Sequence, residues 1–317
     1  MKVIITGAAG FIGSHLTAAC LKRGDEVIGI DNLLTGKMEN IESVLSEVPE
    51  SASRLHFHKE DVRDLGRMRE LFLGGELVFH EAALGSVPWS IKDPLLTHAT
   101  NMTGFVNVLE ASRANGIERV VYASSSAVFG DSTASPAFEG AEGEVLSPYA
   151  ATKRAQEIYS QAWSRCYGMT IVGLRYFNVF GARQDPNGAY AAVIPKWLSR
   201  MKSGRACAIF GDGSSTRDYC HVSNVIRANF LAASHAYGEP ASRAYNIGCG
   251  LSTSLIELHE MMRRRVEEKF GLCVASPEFM PPRAGDIAHS LASIDAARRE
   301  LGFEPVCSVE EGLELYI

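Results

Sequence analysis

Short runs of β-branched and apolar residues alternate with amphipathic stretches through the first half of the chain: KVIIT, FIGSHLTAACLKRG, EVIGI, RLHFH, DLGRMRELF and ELVFH. A long helical segment over about 94–115, the run ERVVYAS, a helix over about 147–167 and the run TIVGLRY continue the series. Runs that are apolar at every position, not at every second one, belong to strands covered on both faces. When such runs alternate with helices of ten or more residues, the strands pair in parallel. The pattern predicts an α/β fold with a doubly wound parallel sheet over residues 1–175. Beyond Tyr176 the alternation gives way to Gly- and Pro-containing loops, GARQDPNGAY, GDGSSTRDY and MPPRAGD, around short helical pieces. Such loops carry ligand contacts more often than core packing. A smaller C-terminal α/β lobe is therefore expected over 176–317, with the helical stretch within 218–236 (NVIRANFLAAS) returning to the main sheet.

Composition narrows the function classes. At 317 residues the chain exceeds most single cores, and 46% hydrophobic with 21% charged residues is globular usage, so a large domain with an appended lobe fits. A net charge of -6 offers no basic surface to neutralise many phosphates, which argues against nucleic acid as the main partner. The seven cysteines, at 20, 166, 207, 220, 249, 273 and 307, form no C-x-x-C pair, and the nine histidines form no H-x-x-x-H pair. Reduced thiols are expected, with neither a disulfide framework nor a metal site. The N-terminal apolar run is too short for a signal or a membrane span, and no other segment approaches membrane length. A cytoplasmic protein with no membrane partner is expected.

TGAAGFIG follows the first strand and opens the first helix, with Gly7, Gly10 and Gly13 at G-x-x-G-x-x-G spacing. Glycine permits the tight turn, the approach of backbone to a pyrophosphate and the close packing of helix on strand. This is the phosphate-binding turn of a Rossmann-type fold. Asp31, ending the second strand, is placed to accept hydrogen bonds from an adenosine ribose, and its charge repels a 2'-phosphate, so the expected cofactor is NAD and not NADP. In KEDVRD, Asp61 and Val62 fall either beside an adenine or at the cap of the next helix; the spacing does not choose.

Two further stretches carry chemistry. YASSSAVFGD places Ser124, Ser125 and Ser126 at a strand end. SPYAATKRAQEIY puts Tyr149 and Lys153 four apart on a helix, on one face. A phenol is a poor base at neutral pH, but an ammonium and a positive nicotinamide ring both favour the phenolate. Such a pair can take and return an alcohol proton while hydride moves to and from a cofactor.

TGAAGFIG, IDNL, EDVRD, FHEAA, SSSAVFGD, SPYAATK, LRYFNVFG, STRDY and PPRAGD, in this order along essentially the whole chain, resemble the extended short-chain dehydrogenase/reductases, specifically the NAD-dependent sugar-nucleotide epimerase/dehydratase group. Within it, ALGSVPWSIKDP and FGARQDPNGAYAAVIPKW are most similar to UDP-N-acetylglucosamine 4-epimerases, relatives of UDP-galactose 4-epimerase. The resemblance implies a catalytic serine five residues before the corner glycine, here Gly130, which selects Ser125; Tyr149 as proton acceptor; and Lys153 on the nicotinamide ribose, tuning the tyrosine. It puts Phe11, Ile12, Asp31, Asn32, Asp61, Val62, Ala82, Ala83, Asn101 and Tyr176 on NAD contacts. Asn178, Val193, Ala208, Phe210, Arg217, Arg283 and Asp286 fall on positions that hold the UDP moiety, and Gly85, Ser86, Ser125, Ser126 and Ser290 on positions around the sugar. A guanidinium fork suits a diphosphate. The helices near 94–115 and 147–167 would pair with their symmetry mates in a homodimer.

The same scaffold carries several reactions. In related dehydratases an Asp-Glu pair follows the catalytic residue; Ser126 and Ala127 occupy those positions here and cannot do that proton chemistry. The glutamate of the decarboxylating relatives is absent, and Asp31 opposes the NADPH of the reductases. The expectation is 4-epimerisation of a UDP-sugar through transient oxidation at C4, with UDP-GlcNAc and UDP-GalNAc as the first pair. In the family a bulky tyrosine four residues after the R-x-G-D aspartate excludes N-acetyl groups; Ser290 stands there. UDP-glucose/UDP-galactose and the UDP-uronic acids remain open, as do a dehydratase or reductase and an inactive NAD-binding regulator. Departures from the family pattern are Phe129 for tyrosine, Trp89 for arginine, and His221 and Ser223 in CHVSNV, where Val-Asp is usual.

Overall fold

A computed structural model describes residues 1–186, 192–282 and 289–317. The strands and helices of the first half run β1 (Lys2–Thr6), α1 (Phe11–Arg23), β2 (Glu26–Ile30), α2 (Met38–Glu47), β3 (Leu55–His58), α3 (Leu65–Leu71), β4 (Leu77–His80), α4 (Val87–Lys92), α5 (Pro94–His98), α6 (Gly104–Ala114), β5 (Arg119–Ser125), α7 (Pro148–Tyr167) and β6 (Thr170–Tyr176). With the strand Ser242–Ile247 they form a seven-stranded sheet in the order Ser242–Ile247, β6, β5, β4, β1, β2, β3. Every pairing in it is parallel. The apolar runs follow from burial on both faces: Val3, Ile5, Phe79, Val121 and Val172 pack into one layer, and Ile4, Val78, Val120 and Ile171 into the other. Chain order reverses between β1 and β4, so a crevice opens at the carboxyl ends of these strands, where ligands bind in doubly wound sheets.

The long helix expected near 94–115 is α5 and α6 joined by a π-helical turn over Ala99–Thr103. Such turns recur at functional sites because they re-aim a side chain within a continuous helix. The helix Val222–Ser234 does return to the main sheet, packing Val225, Ala228 and Ala232 into the same layer as Val3 and Ile5. The strand Ser242–Ile247 returns as well, as the neighbour of β6, which the loop-rich composition of this half did not foretell. The remaining lobe has its own core of Ile194, Trp197, Met201, Ile209, Leu258, Met262 and Leu313. No helix among the described residues is long and apolar enough to cross a membrane.

Candidate active site

The glycine-rich turn is built by backbone contacts that side chains would forbid. Gly7 has φ +75°, and a Cβ there would lie 2.6 Å from the Ala82 nitrogen; a Cβ on Gly13 would lie 2.1 Å from the Gly7 carbonyl oxygen. Helix α1 can therefore begin directly against β1. Its N-cap is Gly10, with no capping side chain and no acidic residue in the first turn, so its positive end is open to an anion in the crevice. Asp31 ties this turn to β2: its carboxylate accepts from the Ala9 amide at 3.0 Å and the Leu33 amide at 2.8 Å. Burial pushes its carboxyl up from the ordinary aspartate value, against those amide hydrogen bonds.

These residues open onto a cleft of about 400 Å³. Gly7, Gly10, Phe11, Ile12, Gly13, Asp31, Asn32, Val62, Ala82, Ala83, Gly85, Ser125, Tyr149, Lys153 and Tyr176, all expected from the sequence, line it together. Lys153 is the one cationic side chain among the described lining residues, so a ribose 2'-phosphate would meet Asp31 and no guanidinium. The cradle that a Cβ would fill, the open helix terminus and the carboxylate at the β2 end together fit an NAD molecule.

Four expected residues do not line this cleft. Asp61 is held by the Arg63 guanidinium at 2.9 and 2.7 Å and by the Asn32 amide at 2.8 Å; the Arg63 hydrogen bond, with that of Asn32, holds its carboxyl down near 2. The helix cap is instead Asp64, which accepts from the Arg67 amide. Asn101, fully buried, spends its side chain on the Leu84 backbone and on Thr152. It shapes the 82–86 loop from inside, while its neighbour on the π-helical turn, Thr100, reaches the cleft. Ser86 caps α4, and Ser126 opens the 3-10 turn Ser126–Phe129.

At the reacting end the three serines separate. Ser124 donates to buried Glu157 at 2.7 Å, and Glu157 in turn holds Arg175 at 2.9 and 2.8 Å. The Ser125 hydroxyl accepts from the Ala127 amide at 3.1 Å and hydrogen-bonds the Tyr149 phenol. Burial raises the Tyr149 pKa, and the Ser125 contact is what opposes it. The Lys153 ammonium donates to the Ala123 carbonyl at 2.6 Å; burial brings it down to about 8 against the pull of Glu81 and Glu157. Phe129 is buried, with the Arg175 guanidinium 5.1 Å from its ring centroid.

A second cleft, of about 340 Å³, gathers Asn178, Val193, Ala208, Phe210 and Arg217. Val179 lines both clefts and joins them. Lys196, Trp197 and Arg200 also line the second one, and sequence reasoning missed them. Their signal was available: with Val193 they fall at i, i+3, i+4 and i+7 of the helix Val193–Lys202, one face. The lobe is clamped to the sheet by Asp218, whose carboxylate accepts from the amides of Cys249, Gly250 and Ala292 at 2.7, 2.9 and 3.2 Å. Ser290 lies in a two-residue strand paired in parallel with Thr216–Arg217. Arg283 and Asp286 lie outside the described residues. In CHVSNV, His221 bonds Ser223 at 2.9 Å, and Asn224 takes over the anchoring: its side-chain oxygen accepts from the Val306 and Cys307 amides. Trp89 sits in α4 with its amide on Ser86.

Residues 3–248 match the NAD dependent epimerase/dehydratase family. The chain belongs to this family. It is 37% identical to a UDP-glucose 4-epimerase of Mycolicibacterium smegmatis, over 99% of this chain and 96% of the relative. Its fold matches a UDP-N-acetylglucosamine 4-epimerase of Methanobrevibacter ruminantium, solved with UDP-N-acetylmuramic acid, with a TM-score of 0.90 and 36% identity over 99% and 96% of the two chains. A UDP-glucuronic acid 4-epimerase of Bacillus cereus, in complex with UDP-glucuronic acid and NAD, matches with a TM-score of 0.86 and 29% identity over 99% and 97%. NAD is the cofactor of the family, and the cleft that the glycine turn opens onto fits it.

Proposed function

We propose that this NAD-dependent UDP-sugar 4-epimerase interconverts UDP-GlcNAc and UDP-GalNAc, with Ser125, Tyr149 and Lys153 as its catalytic residues. The observation that carries the sugar choice is the small Ser290, paired in register with Arg217, which lines the second cleft. A small side chain there, with side-chain-free Gly85 in the wall of the first cleft, leaves room for an N-acetyl group to turn. The second cleft would take the nucleotide, with Phe210 and Val193 beside the base and Arg217 on the diphosphate.

Bound NAD supplies a hydride acceptor at C4, and its positive ring lowers the phenol pKa. The chain's own groups do the rest. Tyr149 takes the O4 proton, Ser125 hydrogen-bonds the same oxygen and keeps the phenol aimed, and Lys153 holds the ribose side of the site. The proton goes back to O4 from Tyr149 when the sugar is reduced on its other face, so no net redox occurs.

Incubation of the protein separately with UDP-GlcNAc, UDP-GalNAc, UDP-glucose and UDP-glucuronic acid, followed by proton NMR, tests this reading. C4 exchange without added reductant is expected, fastest for the N-acetylated pair; a 4-keto-6-deoxy product refutes it. Ser290→Tyr is expected to slow the N-acetylated pair by about tenfold or more while sparing UDP-glucose, because a pocket wall discriminates by the volume it removes. A second reading, UDP-glucose/UDP-galactose, is supported by the similarity to the UDP-glucose 4-epimerase of M. smegmatis; that pair exchanging fastest would favour it.

We also propose a homodimer through the α4, α5 and α7 surface, which exposes Ile91, Leu95, Ile158 and Tyr159. Leu95 is 81% and Ile158 57% exposed, an apolar patch that a second copy would cover. Sedimentation of Ile158→Glu is expected to show monomer where the unaltered chain shows dimer.

A further inference from the structure

Glu81 directly follows β4 at the crevice and lines the cofactor cleft, yet the proton transfer makes no use of it. Its amide donates to the Thr6 carbonyl at 3.0 Å, which ties its backbone to β1. Its carboxylate accepts from the Tyr176 hydroxyl at 2.9 Å. That hydroxyl itself receives a hydrogen bond from Asn229 Nδ2 at 2.9 Å, and the other Nδ2 hydrogen goes to the Val225 carbonyl at 2.9 Å. An amide nitrogen only donates, so the tyrosine proton must point to Glu81. The array Asn229, Tyr176, Glu81 is thus polarised in one direction, towards the Glu81 carboxyl group, which shares the cleft with Ser125, Tyr149 and Lys153 and acts on the Lys153 charge.

We propose that Glu81 supplies one negative charge to the nicotinamide end of the cleft and thereby biases the site towards the oxidised cofactor over the reduced one. The oxidised ring is cationic and the reduced ring neutral, so an anion held nearby in a desolvated site favours the first. For an epimerase this has a purpose: the hydride must leave again in every cycle, and a site that disfavours the reduced ring drives its return to the sugar. The bias concerns the cofactor alone and is independent of which sugar is turned over.

The surrounding titratable groups set its pH range. Burial raises the Glu81 carboxyl to about 7, and the Tyr176 hydrogen bond and the Lys153 charge oppose that rise. His80 beside it is buried and neutral, held down near 3, with Nδ1 on the Thr6 hydroxyl at 2.7 Å. Tyr149 and Glu157 face the region from α7 and Cys220 lies near Tyr176, each uncharged or already paired. The charge is therefore present above about 7 and lost below it.

Titration of the protein with NAD and with NADH, each followed by fluorescence and without sugar, measures the preference directly. At about pH 9, Glu81→Gln is expected to lower the ratio of NADH to NAD dissociation constants by about tenfold, the scale of one charge in a partly desolvated site. In the unaltered protein the preference for NAD should fall as pH drops through about 7, and in Glu81→Gln the fall should be smaller, leaving only the part set by Lys153, whose ammonium comes down to about 8; Glu81→Asp, which restores the charge, should restore the full slope. An unchanged ratio in Glu81→Gln, or the same pH slope in it as in the unaltered protein, overturns the proposal. If Glu81→Gln fails to fold, a flat profile in the unaltered protein overturns it equally. None of these outcomes depends on the substrate assignment, so its failure is read separately.

Discussion

Tyr149→Phe is expected to lower turnover of the UDP-sugar by about 10²–10⁴-fold, the usual weight of a positioned general acid-base group, while NAD affinity stays within a few fold. The phenol ring is retained, so the packing of α7 against the cleft is retained; what goes is the oxygen proposed to take and return the O4 proton. The geometry makes that oxygen hard to replace. Ser125 hydrogen-bonds it but is itself engaged by the Ala127 amide, Ser124 is committed to Glu157, and Lys153 is drawn to the Ala123 carbonyl. No neighbouring hydroxyl among these is placed to take over the proton. Steady-state kinetics with a parallel NAD titration separates the two effects: near-normal turnover would refute the role of Tyr149, and parallel loss of NAD binding would mean that the variant damaged the cleft instead.

Gly13→Ala is expected to abolish stable NAD binding and to cost about 3 kcal/mol of stability, the upper range for overpacking a rigid contact. Its Cβ would sit 2.1 Å from the Gly7 oxygen, 2.7 Å from the Gly7 carbonyl carbon and 3.2 Å from the Ala8 Cα. All three are backbone atoms of the phosphate-binding turn, so no rotamer change relieves the clash. Helix α1 must move off β1, carrying its N-terminal amides out of place. Gly85→Ala is the control for stability, because a Cβ there meets nothing within 4 Å. Thermal unfolding of the two variants, with and without NAD, checks both statements; a Gly13→Ala protein that melts and binds like the unaltered chain would show that the close approach is not needed.

Features written in local spacing are legible in the chain itself. The glycine turn is one, since Gly7, Gly10 and Gly13 lie within one strand-turn-helix unit and each glycine answers a steric demand inside it. The pair Tyr149 and Lys153 is another, because helical periodicity alone puts residues four apart on one face. Asp31 is legible as the end of a strand that has to deliver its side chain to the crevice. Asn101 is legible as part of the site but not in its role: only the π-helical turn shows that it supports Leu84 from behind while Thr100 faces inwards. Asp61 belongs to the same class, drawn to Arg63 and Asn32 by contacts that spacing does not reveal.

Glu81 stands in plain view within FHEAA and carries no signal of its own, because a glutamate at a strand end is ordinarily solvated. Its importance comes from partners far along the chain, Tyr176 directly and Lys153 through its charge, and from Asn229 beyond them. The sequence by itself determined the doubly wound sheet, the glycine turn and the placing of Tyr149 and Lys153 on one helix, since periodicity and glycine sterics act over a few residues at a time. Only the tertiary structure decided that Ser124 is committed to Glu157, that the strand Ser242–Ile247 completes the sheet, and that Glu81 takes the Tyr176 hydrogen bond at the cofactor cleft. The reason is physical: burial, and with it the charge state and hydrogen-bond direction of each polar group, is settled by residues that the chain brings together only when it folds.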